Sequence, residues 1–198
     1  MKKVTLRKRV LVRQYPFRRK MIMEKMNIRA AQRSEYDRIR LFYYSLIDDM
    51  AKLPYGAGWI KDVYPSREMI KSGLEAGEYY IAEDGGSIFG AMLVNHSCNE
   101  SYKEFDWPTK AEDDEITVIH ALGVHPKFMG KGIAKAMVSH VIKKAKEDGQ
   151  KVIRLDVLKG NLPAEKLYSG LGFSYLHTLK MYYDDTGWTD YELYEYPL

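Results

Sequence analysis

Two short stretches carry the residue types that chemistry needs. In Leu122-Gly123-Val124-His125-Pro126-Lys127-Phe128-Met129-Gly130-Lys131-Gly132-Ile133-Ala134, a strand pattern runs through a glycine loop into a helix. Gly130 and Gly132 let backbone amides come close to a ligand, and the unpaired amides and positive dipole end of the helix favour an anion such as phosphate. Neither the dinucleotide fingerprint nor the nucleoside triphosphate loop fits, since no Lys-Ser or Lys-Thr follows Gly132. About thirty residues later comes Asn161-x-x-Ala164-x-x-x-Tyr168-x-x-x-Gly172-Phe173. Asn161 reads as a helix cap with Pro163 tolerated in the first turn, and Ala164 and Tyr168 fall on one helix face. Gly172 ends that helix and Phe173 enters the core. The five histidines are scattered and Cys98 is alone, so no metal site is expected.

The elements that must position these residues follow from apolar periodicity. Residues 26–30 read as a strand. Ser34 reads as the cap of a helix whose Tyr36, Ile39, Tyr43, Leu46, Ile47 and Met50 recur at spacings of three and four. Pro54, Gly56 and Gly58 stop it, leaving residues 53–64 as a loop with Tyr55, Trp59 and Tyr64. Ser66 caps a shorter helix that Gly77 ends. Residues 78–83 and 87–97 form a hairpin around Asp84-Gly85-Gly86, and the acidic stretch 99–115 reads as a loop. Strands at 116–124, 152–158, 173–183 and 188–196 alternate with helices at 132–148 and 161–171, a mixed α/β pattern.

The 198 residues, 45% hydrophobic and 29% charged, suit one globular domain. No apolar run reaches the ~18 residues of a membrane span. The net charge of +4 conceals a division. Residues 1–25 hold ten of the 31 basic residues and one of the 27 acids, so the remainder, with 21 basic and 26 acidic, carries −5. The basic arm reads as a solvated extension that contributes neither core nor catalysis, and the acidic body, residues 26–198, weighs against nucleic acid as a partner. The arm has no signal-peptide core, and a lone cysteine fits a reducing compartment, so a cytoplasmic location is expected.

Glycine loop, helix, strand and the Asn161-to-Phe173 helix, in this order and spacing, resemble the GCN5-related N-acetyltransferase (GNAT) superfamily, and the match extends from Met26 to the C-terminus. The resemblance implies a central, splayed mixed sheet flanked by about four helices, with acetyl-CoA as co-substrate. It implies that the backbone of Leu122, Gly123 and Val124 pairs with the pantetheine arm. The loop Met129, Gly130, Lys131, Gly132, Ile133 and Ala134 would hold the pyrophosphate. Asn161 would contact the CoA arm, Ala164 would leave room for it, and Tyr168 would donate to the departing thiolate. Met129 stands where the family usually has Arg or Gln, with Lys127 or Lys131 available to supply a charge.

The implied reaction is direct attack of a primary amine of a small molecule or peptide on the thioester. An alkylammonium of pKa ~10.4 is neutral only about once in 2,500 at pH 7, a cost of roughly 4.6 kcal/mol, so a base or proton path is useful. His120, placed by strand alternation on one face with Val118, Leu122 and Val124, is the first candidate; Glu115 at the strand's start is the alternative, and water a third. The acidic loop 106–115, the aromatic loop 53–64 and the acidic body favour a cationic acceptor slightly. A homodimer stays open. The rival reading is a CoA-binding sensor that kept the fold and lost catalysis.

Overall fold

The computed structural model describes Glu24, residues 26–53 and residues 56–198. The rest of the basic arm, together with Pro54 and Tyr55, lies outside the described residues. The chain runs β1 (Asn27–Ala30), α1 (Tyr36–Met50), α2 (Arg67–Ala76), β2 (Tyr79–Glu83), β3 (Ile88–Asn95), β4 (Ile116–Val124), α3 (Ile133–Glu147), β5 (Val152–Leu158), α4 (Leu162–Ser169), β6 (Ser174–Tyr183) and β7 (Gly187–Pro197). The seven strands form one sheet in the order β1-β2-β3-β4-β5-β7-β6. All neighbours are antiparallel except β4 and β5. This is the mixed α/β class expected from the sequence.

Successive strand residues alternate between two helical layers. Tyr80 and Ala82 of β2 join the cluster built on Met137, Val138 and Val141 of α3, which also takes in Tyr168 of α4 and Phe173. Tyr79 and Ile81 join the opposite cluster, built on Ile39, Tyr43 and Leu46 of α1 with Ile70 and Leu74 of α2. Each such large apolar side chain, fully buried, contributes on the order of 1.5–3 kcal/mol. Ser66 caps α2 as expected, its Oγ accepting the Met69 N–H at 3.0 Å, and Gly77 closes it in the left-handed region. Ser34 does not cap α1. A 3-10 turn, Arg33–Glu35, precedes that helix, and Gln32 and Glu35 cap it reciprocally, with Gln32 N–H donating to Glu35 Oε2 at 2.9 Å.

The stretch 99–115 is more than a polar connection. Two 3-10 turns, Glu100–Glu104 and Asp113–Glu115, frame it, and Tyr102 and Trp107 are buried. Trp107 Nε1 donates to the Tyr102 carbonyl at 2.9 Å, and the Arg154 guanidinium lies 4.3 Å from the Trp107 ring centre. The sheet supplies the feature that matters for function. β4 and β5 pair only over Ile116↔Val152, Thr117↔Ile153 and Val118↔Arg154. Beyond Val118 the two parallel strands diverge, and the backbone groups of β4 on that side have no strand partner, which makes them available to a ligand.

Candidate active site

The divergence of β4 and β5 opens a cleft with two ends. One end, about 1200 Å³, lies between α3 and α4 and is lined by Leu122, Gly123, Val124, Met129, Gly130, Gly132, Ile133, Ala134, Asn161 and Ala164. Ten of the residues expected at the cofactor are thereby brought together. Gly132, at φ +90°, precedes α3, whose first amides face this groove; Gly130 has φ +72°. Both conformations lie where an L side chain is strained. Gly123 is tight for a different reason, since a Cβ there would sit 2.4 Å from Leu46 Cδ2 and the buried leucine would have to shift.

Lys131 departs from the expectation. Its Nζ turns back to the Lys127 carbonyl at 3.1 Å and lies 5.0 Å from the Phe128 ring centre, so its side chain does not line the groove. Lys135, one helical turn further on, does. Lys131 precedes the helix and folds back on its own loop, whereas Lys135 sits in the first turn of α3 beside the groove. His125 fastens the loop to α1, with Nδ1 accepting the Lys127 N–H at 3.3 Å and Nε2 lying 3.0 Å from Ser45 Oγ. Asn161 forms no side-chain cap hydrogen bond; its carbonyl accepts the Ala164 and Glu165 amides, and its side chain is left to the cleft.

Tyr168 stands where the two ends meet, lining both. Its ring packs against Phe173 with centres 5.3 Å apart, while its hydroxyl has no hydrogen-bond partner among the described residues. Burial, and then the nearby Asp156 carboxylate, push its phenol above the ordinary value, so the hydroxyl keeps its proton and is available as a donor at working pH.

The other end, about 620 Å³, is lined by Trp59, Tyr64, His120, Asp156, Tyr183, Asp185 and Tyr191, among others. His120 reaches it by a route the alternation rule misses. Between the pairs Leu93↔His120 and Ala91↔Gly123, one residue of β3 faces two of β4, and Ala121 adopts φ +48°. This bulge is held by the Tyr43 hydroxyl, which donates to the Ala121 carbonyl at 2.8 Å. His120 therefore shares a face with Val118 and opposes Leu122 and Val124, which pack on the α3 side. Its Nε2 lies 3.0 Å from Asn95 Oδ1, an oxygen that also accepts the Ser97 N–H. Burial lowers its pKa to about 4, against the pull of a backbone hydrogen bond with Ser97. Neutral and weakly basic, His120 is expected to matter little as a base. His120→Gln should change kcat by less than about 10-fold, the low end for losing a positioned acid or base, and leave the acid limb of the pH profile in place. A collapse of that limb would restore the histidine as base.

Glu115 is not brought to the cleft. It pairs with Lys151 at 2.7 Å and accepts the Glu112 N–H at 3.0 Å, which hold its carboxyl below the ordinary range. Nor do the acids of stretch 99–115 reach the cavity; the carboxylates there are Asp156 of β5 and Asp185 of the β6–β7 turn. Asp156 escaped the sequence reading, although a charge inside the apolar strand Val152–Leu158 was a signal. Among the described residues no group of His, Cys, Asp and Glu is arranged to hold a metal ion.

The comparisons with known proteins agree with this geometry. The family model described as Acetyltransferase (GNAT) family matches residues 43–173. An uncharacterised N-acetyltransferase of Methanocaldococcus jannaschii is 30% identical over 102 residues, covering 52% of this chain and 41% of that protein. A [ribosomal protein bS18]-alanine N-acetyltransferase of Haemophilus ducreyi is 34% identical over 70 residues, covering 35% of this chain and 48% of that one. The chain thus spans less than half the length of these curated relatives. Among solved structures, a GNAT-family acetyltransferase of Streptococcus agalactiae superposes with a TM-score of 0.72 at 20% identity, covering 87% of this chain and 95% of that one. An Arabidopsis thaliana protein in complex with acetyl-CoA superposes at 0.64 and 18% identity, covering 87% and 98%. The splayed β4 and β5, the glycine loop at the start of α3 and the family match across two-thirds of the sequence lead to one assignment: the chain belongs to the acetyltransferase (GNAT) family.

Proposed function

We propose that the protein transfers the acetyl group of acetyl-CoA to a primary amine by direct attack, with no acetyl-enzyme intermediate. The observation that carries this reading is the single cleft made by the parting of β4 and β5. In it the amides of residues 130–134, the unpaired edge of β4 and the Tyr168 hydroxyl lie along one groove. The residues present fit acetyl-CoA. The amides at the start of α3 and Lys135 suit its phosphates, the β4 edge suits the amides of its pantetheine arm, and Ala164 offers a wall with little side chain. Acetyl-CoA supplies an electrophilic thioester carbonyl. Tyr168 supplies a hydrogen bond that strengthens as charge develops on the leaving sulfur.

Among the described residues no helix is long and apolar enough to cross a membrane. Cys98, half-buried, with burial raising its thiol pKa, is a poor nucleophile at neutral pH, which accords with direct transfer rather than a thioester on the protein. We place the enzyme in the cytoplasm on the strength of its sequence and take small molecules or peptides bearing a primary amine as acceptors.

The loop tests the cofactor half of the reading. In Gly132→Val a β-branched side chain meets a φ of +90° at the entrance to α3, displacing the amides that face the groove. Calorimetry should show acetyl-CoA affinity lowered about 10- to 100-fold in a folded variant, roughly 1.4–2.8 kcal/mol, the scale of one or two lost charge-assisted hydrogen bonds. Unchanged affinity would mean that the phosphates bind elsewhere. Amine-dependent release of CoA thiol by the wild-type chain tests the other half.

A further inference from the structure

The cavity beyond Tyr168 has an unusual combination of walls. Trp59, Tyr64, Tyr183 and Tyr191 form a continuous aromatic belt, with successive ring centres 5.7, 6.0 and 4.8 Å apart. Two carboxylates, Asp156 and Asp185, line the same space, and among the described residues no Lys or Arg does. The hydroxyls of Tyr102 and Tyr183 both donate to Asp156 Oδ2, each at 2.8 Å, while Oδ1 takes no hydrogen bond from the described residues. One oxygen is thus fixed and the other is left for a ligand. Aromatic faces beside an unpaired carboxylate attract a cation and have nothing to offer an anion.

We propose that the acceptor is an alkylammonium, whose charged head enters beneath the aromatic belt to meet Asp156, and that this carboxylate takes the proton the nitrogen must lose before attack. The inference rests on the acetyl-transfer reading and names its substrate class and base. The protons balance. The ammonium gives one to Asp156; the neutral amine forms the C–N bond as the C–S bond breaks; and a second proton leaves the nitrogen for the thiolate, with Tyr168 donating a hydrogen bond to the sulfur. The amide keeps the third, and Asp156 returns its own to water.

The environment of the carboxylate suits this work. Burial pushes the Asp156 carboxyl up, and the Tyr183 and Tyr102 hydroxyls pull it back. Tyr64, Tyr168, Tyr191 and Cys98 also face it, each uncharged at neutral pH with its own pKa raised by burial. His120 across the cavity is neutral, and burial raises the Asp185 carboxyl.

Calorimetry on the full chain at pH 7, without acetyl-CoA, tests the proposal apart from the reaction it serves. The probes are 2-phenylethylamine, the uncharged 2-phenylethanol, and Nα-acetyl-lysine amide to distinguish a lysine side chain from a free small amine. At least one amine should bind roughly 30-fold or more tightly than the alcohol, and Asp156→Asn should abolish that preference, the scale of losing one partner of a desolvated charge pair. Equal binding of amines and alcohol by the wild type, failure of both amines to bind, or a preference unchanged in Asp156→Asn overturns it. If Asp156→Asn does not fold, Tyr183→Phe serves. Loss of a donor to the ionised carboxylate raises its pKa, so the acid limb of kcat/KM must move to higher pH, and an unmoved limb overturns the proposal. Thiol release with acetyl-CoA, measured separately, shows whether transfer itself has failed.

Discussion

Tyr168→Phe lowers kcat by about 10- to 1,000-fold, roughly 1.4 to 4 kcal/mol of transition-state stabilisation, and leaves acetyl-CoA affinity nearly unchanged. The ring stays, with its packing on Phe173 and Tyr194, so the melting temperature moves little. Only the hydroxyl is removed, a polar atom at the junction of the two ends of the cleft that has no partner among the described residues. Because its phenol is pushed upward by burial, it is expected to serve as a hydrogen-bond donor without surrendering its proton outright. The effect therefore falls on kcat, where charge has developed on sulfur, and not on ground-state binding. An unchanged kcat, with chemistry shown to limit the rate, would reduce Tyr168 to packing and leave the thiolate to water.

The second large effect is on stability. Arg154 and Glu195 face each other across β5 and β7, both buried, with Nε 3.2 Å from Oε2. Arg154 Nη2 also donates to the Thr109 carbonyl at 2.6 Å, and Glu195 Oε1 accepts the Thr109 hydroxyl at 2.7 Å. Arg154→Ala strands a buried carboxylate and a carbonyl and strips the face of Trp107, so unfolding in urea should show a loss of about 3–5 kcal/mol. For a domain of this size that is a fall in Tm of roughly 6–20 °C. The same change loosens the stretch that carries Tyr102 onto Asp156, so amine binding should suffer more than acetyl-CoA binding. A loss below about 1 kcal/mol would mean the pair is replaceable by water. Arg154→Met with Glu195→Leu, which removes both charges, should recover part of the stability.

The grouping of the glycine loop with the Asn161 helix was legible in the sequence because its signals are local. Glycines at 130 and 132 can take positive φ without strain, and α3 carries its apolar face in the spacing of Ile133, Met137, Val138 and Val141. The aromatic end of the cleft was not, because its features are made by distant partners. Nothing about an alanine announces φ +48° at Ala121; the bulge is held by a hydrogen bond from Tyr43, 78 residues earlier, and it places His120 opposite Leu122 and Val124. Asp156 owes its setting to Tyr102 and Tyr183, which lie 54 and 27 residues away. The groove's lysine was missed for a similar reason: the sequence offered Lys127 or Lys131, but Lys131 turns back to the Lys127 carbonyl and Lys135 of α3 lines the groove.

Transfer through this cleft is tested most directly by incubating the full chain with acetyl-CoA and a pooled library of primary amines, then identifying products by mass spectrometry. Acetyl transfer to an amine predicts at least one amide product, drawn from the cationic members of the pool and formed in equal amount with free CoA. Acetyl-CoA bound in calorimetry with no acetylated amine anywhere in the pool would contradict the account and leave a CoA-binding sensor in its place.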